Sequence, residues 1–276
     1  MPLMSTPGAP NEWDRRHLLI VLSAVLAVVI LLVAGLIFAV AQALNVDNTA
    51  GSPAAQSPNR AWPINAAGVR GNHYRDAVAA HPMLKSTADD MQPSAPALDR
   101  PGQMIIGPST AGGPAGVPSG FAHTPQGAVA QLASIEIATL APMSLDYAHD
   151  VYQRWAMKGA SFEKWEIAQA IQAFHVSAGT VDGDGSVSVT AIPVGAQIKG
   201  TDGPDWVLAC VQLDVTAIVV EQSRFGYGHC ERMQWTGGRW MIGAGEPPAP
   251  APSTWPGSRR SLKAGWLLWV NQKADS

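Results

Sequence analysis

Several ionisable side chains that could support acid–base chemistry lie in the second half of the chain. Such catalysis needs an aspartate, tyrosine or histidine within hydrogen-bond reach of a reacting group. The elements that hold these side chains decide whether any of them faces a cavity. The candidates are Asp146, Tyr147, His149, Asp150, His175 and His229.

Spacing favours structural roles for most of these candidates. Asp146, His149 and Asp150 share one face of a predicted helix, opposite the face of Ala148, Tyr152 and Trp155, which is typical of a solvated surface. His175 falls at a predicted helix end, where a cation interacts favourably with the helix dipole. We expect these side chains to serve structure.

Two residues are predicted closer to the interior. His229 shares strand parity with Tyr227 and Met233, so its ring is expected to face the helices. A core histidine with satisfied hydrogen bonds is favoured there over a catalytic base. Glu136 lies beside the apolar stripe of the first predicted helix, and we expect it at the edge of the buried core. The sequence therefore predicts no catalytic residue and no enzyme.

The chain contains two cysteines, Cys210 and Cys230, on consecutive predicted strands. Both are expected outside the membrane, where an oxidising environment favours pairing. A hairpin centred on Gln222–Ser223, however, would set Cys210 opposite Gln234 or Trp235. The sequence leaves two alternatives open, a Cys210–Cys230 disulfide and a pair of buried thiols.

No metal or cofactor site is predicted. His73 and His81 lie about two helical turns apart, without the i, i+4 spacing or the further ligands that zinc requires. The segment "DGDGS" from Asp182 resembles the start of a calcium loop. Pro193 stands where such a loop needs a bidentate glutamate, so we expect a turn instead.

Three helices are predicted to begin the folded domain. Thr124 is a suitable N-cap before Pro125 at the first helical position, and Pro142 ends this helix. Ser144 and Ser161 are expected to cap the second and third helices. Helices followed by strands predict an α+β domain.

Four antiparallel strands are predicted next, in the segments "SVSVTAIPVGAQI", "WVLACVQLDVTAIVV", "RFGYGHCERMQW" and "RWMI". The odd positions of the second strand are all apolar from Val207 to Val219, which predicts one buried and one partly wet face. The segment "PPAPAPSTWPG" is expected to cross the surface in an extended form.

The segment "SRRSLKAGWLLWV" is predicted to form a C-terminal helix with an apolar side. We favour a closing helix that packs Trp266 and Trp269 on the domain. The alternative is a basic and aromatic helix, with Arg259, Arg260 and Lys263, that contacts anionic lipid or a partner protein.

The N-terminal region has the composition of a membrane anchor. No Asp, Glu, Lys or Arg occurs between Arg16 and Asp47, and the apolar run Leu18–Ala41 is long enough to span a bilayer. A cleaved signal peptide has a shorter apolar region, so the "AVAQ" sequence is interpreted as the end of an anchor. Arg15 and Arg16 predict a cytoplasmic N-terminus and a single-pass protein of the cell membrane.

This anchor divides the chain into four predicted parts. Residues 1–17 form a cytoplasmic tail and residues 18–41 a transmembrane helix. Residues 42–119 form an extracytoplasmic linker rich in Pro, Ala and Gly, with a short helix near 72–81. Residues 120–271 form the folded α+β domain.

The charge of the folded region disfavours nucleic-acid binding. Between Gly120 and Gly245 the chain has 12 acidic and 7 basic residues. This excess of negative charge repels phosphates, so we expect no nucleic-acid partner.

The domain plan and the segment "WTGGRWMI" resemble a cone-like fold of the nuclear-transport-factor type, with helices packed on a curved antiparallel sheet. With an anchor and a linker, the plan is similar to the bitopic membrane assembly factors of type IV secretion and conjugation systems. The segments "GVPSGFAHTPQGAVAQLA" and "CERMQWTGGRWMIGAGEPPAPAPSTWPGS" resemble membrane proteins of conjugative elements in high-GC Gram-positive bacteria. The resemblance covers roughly Gly116 to Trp269.

The resemblance implies a non-catalytic structural subunit of a transfer apparatus. Its expected partners are the lipid bilayer, other membrane components of the complex and further copies of this chain. Two alternatives remain, an accessory protein of an envelope lipid or solute transporter and a cell-surface cone-fold enzyme.

Overall fold

The computed structural model describes residues 64–66, 68–182 and 187–272. All of them belong to one compact unit, Asn59–Ser276. Within the described residues six α-helices form: α1 (Asn72–Ala80), α2 (Ala88–Met91), α3 (Pro125–Leu140), α4 (Leu145–Trp155), α5 (Glu166–Ala178) and α6 (Arg259–Lys263). The strands there are β1 (Gln103–Ile106), β2 (Ala111–Gly112), β3 (Pro118–Ser119), β4 (Ser188–Thr201), β5 (Trp206–Ile218), β6 (Gln222–Thr236), β7 (Arg239–Ile242) and β8 (Leu267–Asn271).

Six of these strands form one curled sheet in the order β1-β8-β4-β5-β6-β7. All neighbours are antiparallel except β1 and β8, which run parallel. The main hydrophobic core lies between α3, α4 and α5 and one face of this sheet. The predicted α+β class, with helices packed on a largely antiparallel sheet, is confirmed.

Capping residues set the helix starts in the predicted way for α3 and α4. The Thr124 hydroxyl accepts a hydrogen bond from the Gly127 amide at 3.1 Å, and Ser144 caps α4. The third helix differs, because the Ser161 hydroxyl donates to the Glu163 carboxylate at 2.8 Å instead of capping the helix. A 3₁₀ turn, Phe162–Lys164, forms first, and α5 begins at Glu166.

Both faces of β5 are buried, so the prediction of a partly wet face is wrong. Val207 and its alternate neighbours face the main core. The opposite face, which carries Cys210 and Gln212, is covered by a Pro-rich strap, defined here as residues 247–258. The Gln212 amide donates to the Thr254 carbonyl at 2.8 Å. The Ser261 hydroxyl of α6 donates to Gln212 Oε1 at 3.1 Å, so the strap and α6 together satisfy this buried polar side chain.

The folded body begins well before Gly120, which corrects the predicted linker. Helix α1 lies at Asn72–Ala80, where the sequence predicts a short helix, and it packs on Trp206 and Leu208 of β5. Strand β1 then joins the main sheet with Met104 and Ile106 in the core. The segment has little apolar surface of its own, and the sheet supplies the surface on which it packs. Its composition alone therefore wrongly indicates a linker.

Buried Asp202 anchors the same N-terminal segment. Its carboxylate accepts hydrogen bonds from the Arg70 amide at 2.5 Å, the Gly71 amide at 3.0 Å and Arg75 Nε at 2.7 Å. Burial opposes the charge of Asp202, but these donors outweigh burial and lower its pKa. The segment is therefore held by charge-assisted hydrogen bonds as well as by apolar contacts.

The prediction of a C-terminal helix is correct only for its first half, up to Lys263. Helix α6 ends at Lys263, and Gly265 adopts a φ of 87°, which turns the chain out of the helix. The following residues form β8, which pairs with β1 and β4. Spacing of the apolar residues from Leu262 to Val270 fits a helix, but pairing with two strands satisfies the backbone in the extended form.

Among the described residues, no helix is long and apolar enough to cross a membrane. The predicted transmembrane segment, residues 18–41, and the predicted tail, residues 1–17, lie outside the described residues. The part of the predicted linker from residue 42 to residue 63 also lies outside them.

Candidate functional site

Three of the four candidate side chains on α4 lie at the surface, as the sequence predicts, whereas Tyr147 is partly buried against the main core. Asp146 and His149 are exposed, and Asp150 pairs with Arg154 one turn along the helix at 2.8 Å. The Tyr147 hydroxyl donates to the Ala115 carbonyl at 2.6 Å, so this phenol anchors a loop. None of these four groups lines an interior cavity.

His175 has a structural role at the end of α5. Its ring is buried, with Nε2 at 2.6 Å from the Met143 carbonyl and Nδ1 at 2.8 Å from the Thr180 hydroxyl. Asp182 lies 3.7 Å from the same Nε2. The ring joins the end of α5 to the turn before α4.

The ionisable residues that the fold brings together are Glu136 of α3 and His229 of β6. His229 Nδ1 lies 2.7 Å from Glu136 Oε1, and the two side chains are 2% and 0% exposed. The predicted inward direction of the His229 ring is confirmed. The predicted position of Glu136 at the edge of the buried core is wrong, because a partner 93 residues away along the chain makes its burial tolerable.

Glu231, which was not among the residues predicted from the sequence, extends this pair. Its Oε2 lies 3.9 Å from His229 Nε2, and its Oε1 accepts a hydrogen bond from the Arg232 amide at 2.9 Å. Glu231 has the strand parity of Tyr227 and His229, so strand alternation was the signal that could have identified it. His229 therefore lies between two carboxylates.

Burial and mutual charge shift the proton affinities of all three groups. Desolvation raises the pKa of Glu136 to about 7, although the His229 hydrogen bond opposes this change. Burial alone would lower the pKa of His229, but the hydrogen bond and charge of Glu136 raise it to about 9. Burial also raises the pKa of Glu231. All three groups therefore bind a proton more tightly than they would in water.

A small polar cleft reaches the cluster at Glu231. Tyr152, Trp165 and Glu231 line this cleft together with the backbone near Gly243 and Gly245, and its volume is about 20 Å³. Such a volume holds roughly one water molecule. Molecules much larger than water therefore do not fit the cleft in this conformation.

A second cleft, at the other end of the core, is apolar. It has a volume of about 60 Å³ and borders the β5–β6 hairpin. Because burial raises the pKa of Tyr227 well above its ordinary value, the phenol stays neutral there. The lining residues are Leu140, Met143, Ala170, Phe174, Val189, Val215, Ala217, Phe225 and Tyr227.

The structure joins Cys210 and Cys230 in a disulfide. The predicted hairpin register is wrong, because the turn lies between Ile218 and Gln222, and Cys210 pairs directly with Cys230. Trp266 and the strap residue Ala251 cover this disulfide on the outer face of the sheet. The bond therefore lies inside the layer that holds the strap to the sheet.

The basic and aromatic C-terminal segment packs on the domain, as favoured from the sequence, but it does so as helix α6 followed by strand β8 and not as one helix. Trp266 is buried, and its indole N–H donates to the Pro252 carbonyl at 3.0 Å. Arg260 donates to the Lys85 carbonyl and lies 3.3 Å from Asp90. These contacts join the strap, α6 and the N-terminal segment into one cover.

Among residues 64–66, 68–182 and 187–272, no three His, Cys, Asp or Glu side chains are grouped so as to hold a metal ion. His73 and His81 are both exposed on or beside α1. Comparison of the chain with protein-family models, with curated proteins and with solved structures finds no match. Assignment of a function therefore depends on the residues of this chain.

Proposed function

We propose that this protein is a membrane-anchored, non-catalytic assembly subunit of a conjugative or type IV-like transfer apparatus. Its cone-like outer domain lies on the extracytoplasmic side and contacts other membrane components of that apparatus. The charge-free run Leu18–Ala41, with Arg15 and Arg16 before it, supports the anchor and its orientation. The resemblance to assembly factors of such systems supports the role.

The observation that carries the non-catalytic part of this proposal is the enclosure of the interior acid–base groups. Glu136 and His229 are 0% and 2% exposed and are held by each other. A catalytic base must come within hydrogen-bond reach of its substrate. The polar cleft next to this pair has room for about one water molecule, so a substrate much larger than water does not reach the pair.

The cover on the outer face supports a binding role. The strap and the N-terminal segment bury the second face of the sheet, and the Cys210–Cys230 disulfide lies beneath them. A body that is closed on both faces presents a fixed surface, as a scaffold subunit requires. The acidic charge of the domain further favours protein partners over nucleic acid.

Chemical crosslinking in the native host, followed by affinity purification of the full chain, tests this proposal. We expect transfer components of the membrane to be recovered with the full chain. The matched control is the outer domain released behind a cleavable signal peptide, which should recover far less of them. Recovery of no transfer component by the full chain would contradict the proposal.

A further inference from the structure

Three ionisable side chains form a line from the polar cleft into the core. Glu231 lines the cleft and its side chain is 10% exposed. His229 Nε2 lies 3.9 Å from the Glu231 carboxylate. On the other side of the ring, His229 Nδ1 lies 2.7 Å from the Glu136 carboxylate of α3. The line connects the surface of the domain to the helix that packs across the middle of the sheet.

The charges around this line are unbalanced. Three carboxylates interact with the single imidazole, from α3, α5 and β6. Glu136 Oε2 is buried and has no hydrogen-bond partner among the described residues. The titratable and charged groups that face the line are Glu136 of α3, Tyr152 of α4, Glu166 of α5, and Tyr227 and Glu231 of β6. Arg232 also acts on Glu231 through its charge, but its side chain lies on the opposite face of β6, 2.8 Å from Asp76.

A buried excess of negative charge is costly unless protons neutralise it. Because no described residue donates a hydrogen bond to Glu136 Oε2, the fully ionised state is especially unfavourable. At least one proton is therefore required on His229 or Glu136 for α3 to pack closely on β6. A second proton reduces the net charge of the cluster further.

The cleft provides the path by which protons reach the line. Its volume of about 20 Å³ holds about one water molecule next to Glu231. Lys164 lies in the lining, and its ammonium group pairs with the Glu246 carboxylate at 2.9 Å. Water and protons fit this opening, whereas larger molecules do not.

We propose that Glu231, His229 and Glu136 form a proton-binding site that loads from the outside through the polar cleft, and that its occupancy sets how tightly α3 packs on β6. The ligand of this site is the proton, and the site makes the domain sensitive to external pH. This property does not depend on the partners of the protein.

The raised pKa values of Glu136 and His229 determine how the stability of the fold changes with pH. The pKa of Glu136 is raised from 4.5 to about 7, and that of His229 from 6.5 to about 9. Protons bind more tightly to the folded than to the unfolded chain, so both groups favour folding at low pH. The pair titrates as a unit, and its contribution is lost as pH rises through the range from about 7 to about 9.

Nuclear magnetic resonance of the histidine rings tests the site directly. The full chain, labelled with ¹³C-histidine and placed in lipid nanodiscs, is titrated from about pH 5 to about pH 10. His229→Gln identifies the signal of His229 by its loss. We expect His229 to titrate clearly above the ordinary histidine value, and to shift downward by about one pH unit or more in Glu136→Gln.

Matched variants show whether the titration midpoint of His229 depends on the two neighbouring carboxylates or on the overall charge of the domain. Glu231→Gln keeps the Glu136–His229 pair and should also lower the titration midpoint, whereas Asp150→Asn on the surface of α4 should leave it unchanged. Titration of His229 in the wild-type chain at or below its ordinary value would overturn the proposal. This measurement on the wild-type chain stands even if Glu136→Gln fails to fold.

Discussion

Removal of the Cys210–Cys230 disulfide should weaken the folded domain by a predictable amount. The bond closes a sequence separation of 20 residues. In the chain-entropy description a loop of this length restricts the unfolded chain by about 3 kcal/mol at room temperature. Cys210→Ala with Cys230→Ala removes this restriction and leaves two small apolar side chains under the strap. The free energy of unfolding should therefore fall by about 3 kcal/mol.

Urea unfolding of the full chain in detergent micelles, followed by tryptophan fluorescence, measures this loss. With a dependence on urea of about 3 kcal/mol per molar, the midpoint should fall by about 1 M. Met83→Leu is the matched control, because Met83 lies 3.6 Å from Cys230 Sγ and the exchange conserves volume. A midpoint that moves by less than about 0.2 M in the double variant would refute the reasoning.

Three further changes have defined outcomes. Gly226→Ala places a Cβ 1.9 Å from the Thr254 carbonyl oxygen, so it should displace the strap and lower the urea midpoint by the equivalent of about 1–3 kcal/mol, whereas Gly112→Ala, with nothing within 4 Å, should not. Leu132→Ala opens a cavity in the main core and should cost about 2–5 kcal/mol in the same assay; a cost below about 1 kcal/mol would contradict that packing. Asp202 has a pKa lowered from 3.8, so Asp202→Asn should be less stable than wild type at neutral pH, and the difference should narrow as pH falls below 3.8 toward the lowered pKa of the folded state; a gap in urea midpoint that does not narrow as the pH is lowered would contradict the ionic role.

Local signals predicted the three helices α3 to α5 and the four strands β4 to β7, but not strand β8. Thr124 and Pro125 determine the start of α3 through their own side chains, so no distant residue is needed. The alternation of apolar residues in β5 likewise defines the face that meets the helices. These features depend on neighbours in the sequence, which a single sequence displays.

The N-terminal segment could not be predicted in this way because its partners are distant. Arg70 and Gly71 are ordered by Asp202, more than 130 residues later. The same limit applies to Glu136, whose burial depends on His229. Strand β8 requires two neighbouring strands, β1 and β4, before its extended form is favoured over a helix. Composition and periodicity do not contain these pairings.

The hairpin between β5 and β6 shows how a small local error changes a site. A turn at Val219–Glu221 instead of Gln222–Ser223 shifts the register by several residues. That shift brings Cys210 opposite Cys230. Since the true turn has no Gly or Asn to mark it, the register is determined by the packing of both strands against the core.

The transfer frequency of a conjugative element that lacks this gene tests the proposed role most directly. Deletion should reduce transfer by orders of magnitude, and the full chain supplied in trans should restore it. The outer domain released without residues 18–41 should fail to restore it, whereas His229→Gln in a chain that still folds should restore at least part of it. Transfer at the wild-type frequency after deletion would contradict the proposal.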